Sequence, residues 1–311
     1  MPLGVIQISL DPVLRLSETS SVRYETIGLG VVILLGLIVA ARIATRTPSG
    51  LPFDPEAGLR VDDLVFIVVG SVPGAILGGR LGYVLDHLEF YRANPGAILD
   101  PAQGGLTLTL AVPFGMLTGA FIARLLGAPV GRWLHAAALP LLFVLSAGKL
   151  AGVLGATGQG TFSDALWATA YEGPGPWGSL AAEVPAHPAQ AYEAIAVAGA
   201  IVVMALLTRL GVVTRRQGGA MFLALALWSV ARLAVATTWR DPVVVAGLRT
   251  EQLLQLAVLG VAVIGLAARW RVPASAPAWP DPEKVTETAP EKALEETPEE
   301  TSERTPEGTP A

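Results

Sequence analysis

The chain has 311 residues, of which 52% are hydrophobic and only 15% are charged. A soluble globular protein carries about 25% charged residues, so this composition argues against a water-soluble enzyme. The sequence contains no cysteine, which excludes disulfides, thiolate metal sites and a nucleophilic cysteine of the chain itself.

Residues 1–23 precede the first apolar stretch, and we expect them to form an outer N-terminal segment. They carry no basic stretch of the kind that opens a cleaved signal peptide. The apolar side chains of Leu10, Val13, Leu14 and Leu16 indicate a short amphipathic helix along the membrane interface.

Seven apolar stretches then recur along the body of the chain. Each is close to the ~20 residues that a helix needs to cross the ~30 Å hydrocarbon core of a bilayer. Because lipid requires every backbone polar group to be paired within the chain, these stretches are predicted to be helices. They cover roughly residues 24–41, 64–85, 105–123, 133–155, 189–208, 218–238 and 252–268. We therefore predict an all-α integral membrane protein with a seven-helix transmembrane domain at 24–271, which includes an outer loop at 156–188.

Basic residues are concentrated in the loops on one side of the predicted bundle. That side holds Arg42, Arg46, Arg60, Arg124, Arg132, Arg209, Arg215, Arg216, Arg269 and Arg271, whereas the other holds Arg15, Arg23, Arg92, Arg240 and Arg249. Cytoplasmic loops are enriched in bases, so we predict that the N-terminus lies outside and the C-terminus in the cytoplasm. Residues 272–311 are rich in Pro, Glu and Thr without a periodic apolar face, and they are predicted to form a disordered acidic tail.

Three cations lie within the predicted spans, where a charged side chain is costly and is a functional candidate by default. Arg80, Lys149 and Arg232 come late in the second, fourth and sixth spans, which places all three in the outer half of the bilayer. Acids and amides that open or close neighbouring spans fall at the same level. Arginine presents a planar fork of donors that matches phosphate oxygens. The residues therefore predict a site for an anionic phospholipid, or another anion, at the outer face.

Two motifs and two single residues resemble, in order and spacing, those of the prolipoprotein diacylglyceryl transferase family. Arg232 is similar to an arginine in that family's penultimate span, and Gln252 to a glutamine that opens the last span. The motifs are Gly78-Gly79-Arg80-Leu81-Gly82-Tyr83, which resembles Gly-Gly-Arg-x-Gly-Tyr, and His187-Pro188-Ala189-Gln190-Ala191-Tyr192-Glu193, which resembles His-Pro-x-Gln-x-Tyr-Glu. The resemblance extends from about residue 23 to 270 and includes the seven-span topology with the N-terminus outside.

The resemblance implies transfer of a diacylglyceryl group from phosphatidylglycerol to the lipobox cysteine of a lipoprotein precursor, in the bacterial plasma (inner) membrane. The thiol displaces glycerol phosphate, so the site needs cations for the phosphate and a group that deprotonates the thiol. We predict catalytic roles for His187, Arg232 and Lys149. The predicted substrate-binding residues are Arg80, Tyr83, Gly78, Gly79, Gln190, Tyr192, Glu193, Gln252 and Tyr24. We expect phosphatidylglycerol or another anionic phospholipid, the precursor peptide and the membrane as partners, and no metal, cofactor or nucleic acid.

Several residues depart from the family pattern. The signature Gly-Arg-x-Gly-Asn-Phe-x-Asn-x-Glu-x-x-Gly aligns with residues 148–160. There Lys149 replaces the arginine, Gly152 and Gly155 replace the asparagines, and Thr157 replaces the glutamate. Lysine keeps the charge but loses the bidentate fork of arginine.

Three more positions differ outside the signature. The histidine that follows a Gly-Gly pair at the third span falls on Thr109, which cannot accept a proton near neutral pH. The acid one turn after the Arg232 position falls on Ala236. The first-span tyrosine falls on Glu25 or, with a slip of one residue, on Tyr24.

The departures leave two candidates for the base. One is His187, oriented by Glu193 or Glu183, and the other is His87 beside Asp86.

The departures also leave an alternative function, which is a catalytically inactive homologue that binds phospholipid or a lipoprotein precursor as a membrane scaffold. A transporter or channel is less favoured, because the ionisable residues gather at one face instead of being staggered through the bilayer.

Overall fold

A computed structural model describes residues 5–50, 56–100, 102–172, 184–213, 218–241 and 243–271. The predicted acidic tail at 272–311 lies outside the described residues, as do residues 173–183 of the predicted outer loop.

Within the described residues, seven helices are long and apolar enough to cross a membrane, which confirms the predicted fold class and number of spans. Each predicted apolar stretch overlaps one of these helices. The helices are α1 (Tyr24–Thr45), α2 (Val61–Asp86), the short α3 (Leu88–Ala93), α4 (Leu108–Leu125), α5 (Val130–Leu154), α6 (Ala189–Arg209), α7 (Gly219–Val235) and α8 (Thr250–Arg271).

Three of the long helices contain a proline in their interior. Pro73, Pro113 and Pro140 lie inside α2, α4 and α5, and each helix continues past its proline. Neighbouring groups in a bundle can re-satisfy the carbonyl that a proline leaves free. The described helices therefore do not show the broken spans at mid-depth that are typical of transporters.

The connections at one end of the bundle, here called the loop-rich end, carry all of the described strands. A parallel pair joins β1 (Ile6–Ile8) to β4 (Thr169–Tyr171), and two hairpins are formed by β2 (Val13–Arg15) with β3 (Ser21–Arg23) and by β5 (Val243–Val245) with β6 (Leu248–Arg249). These segments precede α1, separate α5 from α6, and separate α7 from α8. Side-chain contacts described below join the start of α1 to the end of α5, and the start of α4 to the start of α8.

The amphipathic helix predicted within residues 1–23 is wrong for the described part of that segment. Strands β1, β2 and β3 occupy it instead. Pro12 follows Asp11, whose carboxylate accepts a hydrogen bond from the Val13 amide, so the chain turns where a helix would have to continue. A second turn brings the Leu16 amide to the Ser20 carbonyl. The apolar side chains therefore do not share a helical face.

The buried core lies mainly between α5, α6, α7 and α8. Leu142, Val197, Met204 and Trp228 are among its fully enclosed side chains. Helix α7 is the central helix, since 56% of the residues in its apolar stretch are buried, compared with 17% in α1, α2 and α8. The outer helices expose large aliphatic and aromatic side chains such as Leu34 and Phe66. Such an apolar perimeter suits contact with lipid chains and would be unfavourable in water.

Glycines allow α2 and α4 to approach closely. A Cβ atom added at Gly78 would lie 2.6 Å from the Phe114 Cβ, and one added at Gly79 would lie 3.0 Å from the Leu106 Cβ. Small residues at a helix interface permit such backbone proximity in membranes. Sequence analysis predicted substrate contacts for Gly78 and Gly79. The structure instead places both, buried, against α4 and the residues before it, where packing explains them.

We expect Gly78→Ala to destabilise the protein by about 1–3 kcal/mol, the usual cost of forcing extra volume into a packed interface. The measurement is thermal unfolding of the purified protein in detergent. Gly30→Ala is the matched control, because a Cβ at Gly30 in α1 meets nothing within 4 Å. Equal melting temperatures for the two variants would contradict the packing interpretation.

Candidate functional site

Four charged side chains form a connected ion network at the loop-rich end, between α5, α6, α7 and α8. The Lys149 Nζ lies 3.0 Å from one carboxylate oxygen of Glu193. The Arg232 Nε lies 3.5 Å from the other oxygen of Glu193, and the Arg232 Nη2 lies 3.1 Å from the Glu251 Oε2. Two cations and two anions thus alternate along one chain of contacts.

The members of the ion network differ in exposure. The Glu193 side chain is fully buried and that of Arg232 is 5% exposed, whereas Glu251 is 13% and Lys149 is 25% exposed. A buried charge is tolerated only when it is paired and hydrogen-bonded. Glu193 therefore fixes the two cations, and Lys149 and Glu251 are the members that a ligand can reach most easily.

One guanidinium nitrogen of Arg232 is free to donate hydrogen bonds to a ligand. Its Nη1 is buried and makes no hydrogen bond to any residue that the structure describes. A buried donor of this kind needs a partner, since most buried polar groups in proteins have one. An anion that contacts Lys149 would supply a suitable acceptor.

Two tryptophans border the cations. The Trp239 ring centroid lies 4.8 Å from the Arg232 Cζ and 4.9 Å from the Lys149 Nζ, and the Trp228 ring lies 5.5 Å from the Arg232 Cζ. Cations are attracted to the negative face of an aromatic ring. The Trp239 ring therefore helps to hold both cations in place, and Trp228 adds a second ring beside Arg232. Sequence analysis did not identify Trp228 or Trp239. Trp228 lies four residues before Arg232 in the same predicted span, and this one-turn spacing is a signal that could have included it.

The contacts of Glu251 were only partly indicated by its position in the sequence. Its Oε2 accepts a hydrogen bond of 2.5 Å from the hydroxyl of Thr109, which is fully buried at the start of α4. Thr109 is the position at which the resemblance predicts a histidine. Sequence analysis placed Glu251 at the level of the cations but left it out of the predicted site residues. An acid at the first turn of a span is a signal that could have included it.

A second acid fills the space left by the altered signature. The Glu25 Oε1 accepts a hydrogen bond of 2.9 Å from the Thr157 hydroxyl, and a Cβ atom added at Gly155 would lie 2.5 Å from the Glu25 Oε2. The carboxylate of Glu25 therefore occupies the space that a side chain at position 155 would need. This contact favours Glu25 over the half-buried Tyr24 as the first-span residue that faces the signature.

Arg80 lies outside the ion network. Its Nε and Nη2 donate hydrogen bonds of 2.7–3.0 Å to the carbonyls of Ala97, Ile98, Asp100 and Gln103. Four carbonyls thus take up the donors of Nε and Nη2, two of the three guanidinium nitrogens that were predicted to bind phosphate. We interpret Arg80 as a residue that holds the segment between α3 and α4 in place, and its binding of phosphate together with Lys149 and Arg232 stays a prediction.

Tyr83 belongs to this second group as well. Its ring stacks on His87 at a centroid distance of 4.1 Å, and it packs against Gly104 and Gly105. The His87 Nδ1 lies 3.0 Å from the Tyr83 carbonyl and 3.9 Å from the Asp86 carboxylate. Tyr83 and His87 therefore support the same segment as Arg80.

The second motif is divided between two sets of contacts. The His187 Nδ1 lies 3.3 Å from the Tyr192 hydroxyl, which accepts a hydrogen bond of 2.6 Å from the Trp167 indole. Glu193 contacts Lys149 and Arg232, so the predicted orientation of His187 by Glu193 is wrong. The other predicted partner, Glu183, lies outside the described residues.

Gln190 and Gln252 have structural partners. The Gln190 amide lies 3.4 Å from the hydroxyl of Tyr171, which donates to the Val153 carbonyl at the end of α5. Gln252 accepts a hydrogen bond of 2.9 Å from the Arg249 amide, just before α8.

A pocket opens beside the ion network, between the end of α7 and the start of α8. Arg232, Trp239, Asp241, Arg249, Glu251 and Gln252 are among the residues that line it. Burial raises the pKa of the Asp241 carboxyl above its ordinary value, and the charge of Glu251 raises it further. The pocket thus offers acidic and basic groups to a ligand within a partly enclosed space.

We expect Arg80→Lys to loosen the segment between α3 and α4, because an ammonium group cannot reproduce the planar fork that binds four carbonyls. Hydrogen bonds to a charged group contribute about 1.5–3 kcal/mol each, so amide hydrogen exchange across residues 97–103 should accelerate by about tenfold or more. Mass spectrometry of the exchanged protein measures this. The exposed Arg92 gives the control variant, Arg92→Lys. Unchanged exchange in Arg80→Lys would contradict the assigned role.

Comparison with known proteins gives one consistent family. The family model described as prolipoprotein diacylglyceryl transferase matches residues 22–268. A protein of Geobacter sulfurreducens named phosphatidylglycerol–prolipoprotein diacylglyceryl transferase is 31% identical over 171 residues, which cover 53% of this chain and 60% of that protein. Proteins of the same name are 26% identical in Bacillus mycoides, covering 77% of this chain and 86% of that protein, and 33% identical in Ruegeria pomeroyi, covering 53% and 56%.

The match to the Geobacter and Ruegeria proteins thus spans less than two thirds of their length, whereas the family model spans most of this chain. The match begins just before the first of the seven spans that the structure describes and ends within the last of them, Thr250–Arg269. This chain belongs to the prolipoprotein diacylglyceryl transferase family.

Proposed function

We propose that this chain transfers the diacylglyceryl group of phosphatidylglycerol to the cysteine of a lipoprotein precursor, in the plasma membrane of a bacterium. The ion network carries this proposal. Lys149 and Arg232 are held 3.0 and 3.5 Å from one buried carboxylate, Glu193, so that two cations converge on one place at the end of the bundle. The names of the relatives supply the substrates, and family membership supports their transfer to this chain.

The chemistry requires the thiolate to attack a carbon of the glycerol unit while glycerol phosphate departs with the electron pair of the broken C–O bond. Negative charge builds up on the departing phosphate. Preorganised cations stabilise such charge strongly where water is excluded. In this proposal the partly exposed Lys149 and the free Nη1 of Arg232 receive phosphate oxygens.

The reaction also needs access for lipid and for peptide. The long helices present apolar side chains outward, so phospholipid can approach from the bilayer. We propose that the loop-rich end faces the outside of the cell, in keeping with the distribution of basic residues. Both substrates would then meet the ion network at the outer surface of the membrane.

A non-catalytic lipid-binding scaffold is the second candidate function. The observations that favour it are Thr109 at the position of the predicted histidine and the glycines at 152 and 155. A scaffold would bind phosphatidylglycerol through the same cations and release no product. The two functions therefore differ in turnover and not in lipid binding.

We expect the purified protein, in micelles that contain phosphatidylglycerol, to add a diacylglyceryl mass to a lipobox peptide and to release glycerol phosphate. Arg232→Ala and Lys149→Ala should each lower the rate by about 10²–10³-fold, the usual effect of removing one stabilising donor from a transition state. Mass spectrometry of the peptide and an assay for glycerol phosphate measure both products.

Two further variants sharpen this test. Lys149→Arg should retain transfer, since it keeps the charge and restores a bidentate fork. Arg92→Ala removes an exposed cation outside the network and should leave the rate unchanged. If the native protein binds phosphatidylglycerol but forms neither product, the scaffold function replaces the transferase function.

The orientation of the bundle can be tested with single cysteines, because the native sequence contains none. Thr19→Cys lies before α1, and Leu126→Cys lies between α4 and α5 at the opposite end; both side chains are exposed. In intact cells without an outer permeability barrier, a membrane-impermeant maleimide should label position 19 and spare position 126. The reverse pattern would place the ion network on the cytoplasmic side.

A further inference from the structure

We propose that Glu251 is the group that takes the proton from the acceptor thiol, in place of the histidine that the resemblance predicts at Thr109. This inference rests on the proposed transferase function and adds a residue to it. It follows from three observations on Glu251, which are its partners, its accessibility and its position in the pocket.

The two oxygens of Glu251 have different surroundings. The Oε2 accepts hydrogen bonds from the Thr109 hydroxyl at 2.5 Å and from the Arg232 Nη2 at 3.1 Å. Both hydrogen bonds that the structure describes for this carboxylate thus go to the Oε2. Two donors on one oxygen fix the orientation of the carboxylate and leave its other oxygen available as an acceptor.

Glu251 is also accessible, in contrast to the other acid of the ion network. Its side chain is 13% exposed and lines the pocket beside Arg232, whereas Glu193 is fully buried. Ala236, at the position where the resemblance predicts an acid, lines the same pocket with a methyl group only. Glu251 thus brings a carboxylate from α8 to a pocket that lacks one at Ala236.

Judged by its contacts, Glu251 lies nearer to the cations than His187 or His87 does. It touches Arg232 directly, while the contacts of His187 are with Tyr192 and those of His87 are with Tyr83 and Asp86. The charged groups that face Glu251 are Arg232 from α7, Asp86 from α2, and Asp241 and Arg249 from the segment before α8.

The step balances without any further reactant. The S–H proton passes to the Glu251 Oε1, and the sulfur forms a bond to the glycerol carbon that carries the phosphate. The bond between that carbon and the phosphate oxygen breaks, and its electron pair leaves with glycerol phosphate beside Lys149 and Arg232. The proton on Glu251 is then available to the departing phosphate, which restores the carboxylate.

The test compares Glu251→Gln with the native protein over a range of pH. Glutamine keeps the size of the side chain and an acceptor for Thr109, but it cannot take up the proton. We expect the transfer rate near neutral pH to fall by about 10²–10⁴-fold, the usual contribution of a positioned base, while binding of phosphatidylglycerol is retained.

The pH dependence separates a proton acceptor from a structural residue. The free thiol ionises near pH 8.5, so raising the pH towards that value supplies thiolate without a base. Below that pH, the factor by which Glu251→Gln is slower than the native protein should therefore decrease by about tenfold for each unit that the pH is raised. Glu89→Gln, which removes an exposed acid on α3, is the matched control and should show no deficit.

A second variant provides an independent check. Thr109→His combined with Glu251→Gln places an imidazole at the position where Glu251 now accepts its hydrogen bond. This double variant should be at least about tenfold faster than Glu251→Gln alone, since a positioned histidine can act as a base near neutrality. Its activity should fall as acidification protonates the new histidine.

Two results would overturn the proposal. They are a Glu251→Gln rate within about threefold of the native rate and a deficit that is equal at every pH, since a positioned base contributes far more than such differences. A native protein that binds lipid but makes no product would refute the transferase function, and the role of Glu251 would be refuted with it. Activity in the native protein with a flat deficit would refute the role of Glu251 alone.

Discussion

The fully buried carboxylate of Glu193 is the constraint on which the rest of the site depends. A lone carboxylate in this core would be prohibitively costly, so Lys149 and Arg232 must stay beside it. Those cations come from α5 and α7, and Glu193 comes from α6, so one acid ties three helices together at the same depth. The contact from Arg232 to Glu251 then adds α8, and Thr109 adds α4. The charges that we propose to act on the substrate are thus the same charges that hold the ends of five helices together.

The sequence predicted the seven spans because each apolar stretch has the length that a bilayer demands, and this signal does not depend on tertiary contacts. It also predicted that Lys149 and Arg232 are functional, since a charge inside a span needs a reason. It did not predict their partners. Arg80 seemed equivalent by depth and by residue type, but the structure turns its guanidinium towards the carbonyls of residues 97–103. Which way a side chain points is decided by the loop folded over it, and no periodicity in the sequence encodes that. Strand β1 was missed for a related reason, because its pairing partner β4 lies more than 150 residues away.

The departures from the family pattern have a physical logic in the structure. The signature has lost its asparagine at position 155 and its glutamate at position 157. The carboxylate of Glu25, from α1, lies there instead and accepts a hydrogen bond from Thr157. Likewise, Thr109 and Ala236 stand where the resemblance predicts a histidine and an acid. The carboxylate of Glu251, from α8, accepts a hydrogen bond from Thr109. In both cases an acid on the first turn of a neighbouring helix enters the space that a smaller residue leaves. A site can therefore keep its polarity while the helices that supply it change.

The parallel pairing of β1 with β4 links the beginning of the chain to the middle of it. Strand β4 ends at Tyr171, whose hydroxyl bonds the Val153 carbonyl and lies beside Gln190 of the second motif. The amino-terminal residues thus pair with the strand that carries Tyr171 instead of serving only as a lead into the first span. Trimming the chain before residue 9, or fusing a bulky domain there, would perturb the distant segment that carries Tyr171.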